Sequence, residues 1–195
     1  MCKYIYSALA IITTSLNCMN ETNFNTKNRE NADDRLLKLK KAFTNDDAET
    51  IQELLSNINE QDNNKFSLLT YAVIEHNYAA AKFLIANGAF IDNQDIYGNT
   101  PLMYAVRRHK KPFIALLLQS GANINLQDKQ GRTCLMEASD SLDREIVQIL
   151  IENGASKDIK DNYGQTALDI YNYRITSNKE IMKSIDEQRK CNGNE

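Results

Sequence analysis

Tryptophan is absent from this 195-residue chain, and only two prolines and seven glycines occur. Little Gly and Pro leaves few breakers, which fits a helical array. Histidine is confined to His76 and His109, 33 residues apart, and no carboxylate or cysteine spacing joins them into a metal set. Four cysteines form neither a disulfide framework nor a zinc pattern. Cys2 and Cys18 belong to the leader, Cys191 to the tail, and Cys134 is expected half-buried at a helix start. No nucleophile elbow, glycine-rich phosphate loop or HExxH occurs, and no base stands beside a nucleophile. The expectation is therefore no enzyme, no catalytic residue, no metal and no cofactor. Net charge is only −3, too mild and of the wrong sign to imply a nucleic-acid partner. The basic run Arg107-Arg108-His109-Lys110-Lys111 reads as a solvated patch or one that recognises an acidic partner.

What the chain does contain is a repeat of period 33. Asp62, Asp95, Asp128 and Asp161 mark its starts. Ser67, Thr100, Thr133 and Thr166 follow each start by five residues, and Leu69, Leu102, Leu135 and Leu168 by seven. Ala72, Ala105 and Ala138 lie three residues after the leucines in the first three units. Gly98, Gly131 and Gly164 follow the last three aspartates by three residues. The pairs Gly88-Ala89, Gly121-Ala122 and Gly154-Ala155 close three units. The Ser or Thr is placed to cap a first helix, and Pro101 suits a first helical position. Leu and Ala three apart share one helical face. Leu84-Ile85, Leu117-Leu118 and Leu150-Ile151 mark the buried side of a second helix. The Gly after it can take the positive φ that ends a helix, and the Asp-Gly segment turns the chain.

The pattern D-x-x-G-x-T-P-L, an Ala three later, and L-L-x-x-G-A-x-I-N resembles the ankyrin repeat family over residues 36–190. Departures are Met103, Met136, Thr70 and Asp169 where the family has His, Cys134 and Ala167 in place of Pro, and Lys65 in place of Gly. The resemblance implies an all-α solenoid of about five helix-turn-helix units with short hairpin-like fingers. It also implies a protein-binding role on a concave surface of finger tips and first helices. By register the tips are Asn63, Asn64 and Phe66; Ile96, Tyr97 and Asn99; Lys129, Gln130 and Arg132; and Asn162, Tyr163 and Gln165. The first-helix positions are Ile74, Glu75, Arg107, Arg108, Asp140 and Ser141. Tyr97 and Tyr163 stand out, because Tyr and Arg are enriched among residues that dominate interfaces. The expected role is a monomeric adaptor or scaffold. The alternatives are an inhibitor or immunity-type protein that blocks a co-expressed enzyme, and a structural envelope protein.

Residues 1–17 stand outside the array. Tyr4–Leu16 is a mostly apolar stretch, short for a membrane span and suited to a signal-peptide core. Cys18 follows in the context Ser15-Leu16-Asn17-Cys18, which resembles a loose bacterial lipoprotein site, with Asn17 a departure from the usual small residue. The expected location is the bacterial cell envelope, lipid-anchored through Cys18 or periplasmic, and cytoplasmic if the leader is not functional. Residues 18–35 read as a polar tether, too poor in apolar side chains to fold alone. Residues 36–61 form an N-terminal capping repeat, and 62–94, 95–127 and 128–160 are full repeats. Residues 161–190 form a C-terminal cap, and 191–195 a tail.

Overall fold

The computed structural model describes residues 55–177 and Lys179. The leader, Cys18, the tether, most of the first capping repeat and the second helix expected at 178–187 lie outside the described residues. Among the described residues the regular structure is helical. It comprises α1 (Leu68–Ile74), α2 (Tyr78–Ala86), α3 (Pro101–Arg107), α4 (Lys111–Gln119), α5 (Cys134–Asp140), α6 (Arg144–Glu152) and α7 (167–177). None of these helices is long and apolar enough to cross a membrane. The chain divides into two compact parts between Asn123 and Ile124. In the first, α1 packs on α2 and α3 on α4, while α1 meets α3 and α2 meets α4. In the second, α5 packs on α6. This is the all-α repeat class expected from the period.

Local chemistry sets each boundary. Ser67, Thr100 and Thr133 accept at their side-chain oxygens from the backbone N–H three residues on, in Thr70, Met103 and Met136. Thr166 caps α7 reciprocally with Asp169. Its hydroxyl accepts from the Asp169 N–H at 3.3 Å, and the Asp169 carboxylate accepts from the Thr166 N–H at 2.9 Å. Asn77 and Asp143 cap α2 and α6, whereas Lys110 starts α4 without a side-chain cap.

The turn between paired helices needs one residue at positive φ. It is filled by His76, His109 and Leu142, at 57°, 55° and 58°. No favourable side-chain hydrogen bond relieves Leu142, so that turn carries the steric cost a left-handed L residue incurs.

The finger turns are four copies of one device. Each starting Asp accepts at Oδ1 from the N–H groups two and four residues later, at 2.8–2.9 Å. Its own N–H donates to the carbonyl of the fourth residue. The third residue has positive φ: Lys65 at 59°, then Gly98, Gly131 and Gly164 at 84°, 78° and 78°. Lys65 occupies the conformation that glycine takes elsewhere. Gly131 is needed twice over. A Cβ there would lie 2.8 Å from the Asn162 backbone nitrogen, because the following finger comes in close enough for that N–H to donate to the Gln130 carbonyl at 2.9 Å.

Leu69, Leu102 and Leu135 are buried, as are Thr70, Met103 and Met136 beside them and Val73, Val106 and Ser139 one turn on. In the fourth repeat the same positions hold Leu168, Asp169 and Asn172, and all three are exposed. Two of the three are polar there, Asp169 and Asn172. Cys134, expected half-buried, is instead fully enclosed. As the first residue of α5 it faces the core that the preceding Thr133 cap positions.

Candidate functional site

In the first part, the fingers and first helices build a column of rings. Phe66 meets Tyr71 edge-to-face at 5.2 Å and Tyr104 at 5.9 Å. The hydroxyls of Tyr71 and Tyr104 donate to Asp62 Oδ2 and Asp95 Oδ2, at 2.7 and 2.6 Å. Asp62 and Asp95 thus each tie a finger to the helix that follows it. Burial, then the hydrogen bond to Asp95, pushes the Tyr104 phenol well above its usual range, so it stays a neutral donor.

Asn99 was expected at the partner surface. The structure places it in the interior, where its amide donates to Asp95 and its Oδ1 accepts from Arg107 at 3.1 Å. The reason is its short amide, which reaches back onto the Asp95 carboxylate and is held there by Arg107, whereas Gln165 at the same turn position stays exposed. Arg107 stays exposed, and its guanidinium also lies 5.8 Å from the centre of the Tyr104 ring. Arg108 is exposed; Ile74, Glu75, Phe66 and Ile96 are half-buried. Tyr97 is 62% exposed on a turn whose backbone is locked by Asp95.

In the second part, Arg132 spans two carboxylates, with Nη2 3.2 Å from Asp140 and Nε 3.3 Å from Glu137. Asp140 also accepts from Arg174. The hydrogen bond from Arg174, more than the one from Arg132, holds the Asp140 carboxyl below its usual range against the opposing effect of burial. Arg132 and Asp140 are therefore already partnered within the chain, and each would have to exchange a partner to meet another protein. Lys129, Gln130, Ser141, Asn162 and Gln165 are exposed, and Tyr163 is 83% exposed.

The two histidines lie on equivalent turns of α1–α2 and α3–α4, and among the described residues no His, Cys, Asp and Glu group is arranged to hold a metal. Burial, then the nearby Lys110 and Arg108 charges, lowers the His76 pKa.

A second set of spaced residues went unremarked in the expectations above. Gln61, Gln94 and Gln127 each donate across the finger to the carbonyl four residues on, at 2.6–2.7 Å. Gln61 and Gln127 also reach Gln94 and Lys160, one period away. Asn59, Asp92 and Asn125 accept from the N–H groups of Phe90, Asn123 and Ser156. Their signal was the same interval of 33, hidden because Asn, Asp and Gln are ordinary in loops.

A family model of ankyrin repeats, three copies, matches residues 39–128 and 110–183. No curated protein sequence matches the chain.

Proposed function

The chain belongs to the ankyrin repeat family, whose repeats generally mediate protein–protein interaction and are generally not enzymes, and we propose that it is an adaptor or scaffold binding a partner protein through finger tips and first helices. The observation that supports this reading most directly is the exposure of Tyr97 and Tyr163. Both are large rings held in solvent on turns whose backbone is tied down by Asp95 and Asp161. A ring on a rigid turn loses little entropy on docking, so such residues serve as anchors. Ile96, Phe66 and Arg107 flank Tyr97 in the first part, and Lys129, Gln130, Arg132, Asp140, Ser141 and Gln165 belong to the second.

Crosslinking capture from the native host, with the chain beginning at Cys18 as bait, tests it. Tyr97→Ala and Tyr163→Ala, made separately, should leave thermal unfolding nearly unchanged, since neither ring is buried. At least one should remove the captured partner. Capture that survives both substitutions would sink the assignment.

We further propose export and lipid attachment at Cys18, on the leader's apolar stretch followed by that cysteine. Labelled palmitate should enter the wild type and disappear in Cys18→Ser. Label retained in the variant rules the attachment out.

A further inference from the structure

The finger tips are not the only surface with something to offer. At the opposite end of the helices in the first part, the α3–α4 turn carries Arg107, Arg108, His109, Lys110 and Lys111 in succession. The chain as a whole has a net charge of −3, so these four fixed cations are concentrated against its overall sign. The repeat does not demand them. The α5–α6 turn at the same register reads Ser141-Leu142-Asp143-Arg144, and the α1–α2 turn reads Glu75-His76-Asn77. Arg108 forms the C-cap of α3 with its backbone, and Lys110 starts α4 without a side-chain cap bond. Among the described residues, neither Arg108 nor Lys110 makes a side-chain hydrogen bond or ion pair. Their field reaches the neighbouring turn, where it disfavours a proton on His76. The only carboxylate on these two turns is Glu75. Next to them, Tyr78 is 43% exposed, with its ring against Phe113 at 5.5 Å.

We propose that this helix-turn edge, with Arg108 and Lys110 as its charged contacts and Tyr78 as its apolar one, docks an acidic segment of the partner protein. The proposal rests on the protein-binding reading above and names the chemistry of one contact. Charge complementarity favours a short acidic peptide over a polyanion. Screening confines these cations' attraction to about 8 Å at physiological salt, which suits a few carboxylates. A nucleic acid would spread its phosphates over a chain whose net charge repels them.

The probe is a fluorescein-labelled peptide of about ten residues, Asp and Glu around one Leu, titrated against the full chain by anisotropy at about 0.1 M salt. Saturable binding is expected. Arg108→Glu with Lys110→Glu should weaken it at least about tenfold, since like charges then face the peptide. Arg108 is exposed and Lys110 half-buried, and neither side chain is bonded, so the melting temperature should fall little. Tyr97→Ala should leave peptide binding unchanged. Absent binding, or binding that ignores the charge reversal, overturns the proposal. Tighter binding of a thymidine oligonucleotide or of anionic phosphatidylglycerol vesicles than of the peptide also overturns it. If the charge reversal leaves native partner capture intact while Tyr97→Ala abolishes it, this inference fails and the protein-binding reading stands.

Discussion

Replacing Asp95 with alanine is expected to remove about 3 kcal/mol of stability, far more than a surface aspartate would. Asp95 is 4% exposed, and four donors converge on its carboxylate. Oδ1 accepts from the Tyr97 and Asn99 N–H groups at 2.8 Å each. Oδ2 accepts from the Tyr104 hydroxyl at 2.6 Å and the Asn99 amide at 3.1 Å. Alanine leaves these donors in a site already closed to water. Each orphaned buried donor costs about 1–3 kcal/mol, reduced where water can enter. Asp128 is the natural comparison. Its carboxylate accepts from the Gln130 and Arg132 backbone N–H groups, and Glu137 stands where Asp95 finds Tyr104. Asp128→Ala should therefore cost less, about 1–2 kcal/mol. Urea unfolding of the full chain followed by circular dichroism measures both. Equal losses would show that the tyrosine and asparagine contacts add nothing. The Tyr104 phenol offers a second readout, since its titration should move back toward the ordinary value once the Asp95 carboxylate is gone.

The second large effect is a contrast between two leucines at one register position. Leu102 is fully buried and Leu168 is 63% exposed. Leu102→Ala should cost about 3 kcal/mol, from lost transfer free energy and the cavity left in a packed site. Leu168→Ala should stay within about 0.5 kcal/mol, because a solvated side chain has no cavity to leave. The same unfolding measurement decides it, and a loss at Leu168 as large as at Leu102 would contradict its exposure.

That contrast also marks how far the one-dimensional pattern carries. Leu102 and Leu168 are the same letter at the same phase of the period, so phase alone does not separate them. The hydroxyl caps, the glycine turns and the Leu-Ala spacing were legible, because each depends on backbone geometry within about one helical turn, whereas the positive φ of Lys65 and Leu142 was not. The polar letters at Asp169 and Asn172 did hint that the fourth repeat presents a different face. The tip residues were legible as positions but not as surfaces. Asn99, Arg132 and Asp140 each sit at a tip or first-helix position, yet each is engaged by side chains four to 34 residues away in sequence. Whether a polar side chain turns inward depends on which donor or acceptor the fold brings within about 3 Å, and period alone carries no such information.

The amino-acid sequence by itself determined the period of 33, the paired helices of the three full repeats and the finger turns. These follow from propensity, capping and spacing, which act over a few residues. The tertiary structure alone decided which letters remain available to a partner. It left Tyr97 and Tyr163 in solvent, drew Asn99 under Arg107, and partnered Arg132 with Asp140. It also showed that Gly131 must be glycine because the next finger passes too close for a Cβ. Those outcomes arise from approach between residues more than one helical turn apart in sequence, eight for Asn99–Arg107 and for Arg132–Asp140, where a small shift separates a contact from a clash.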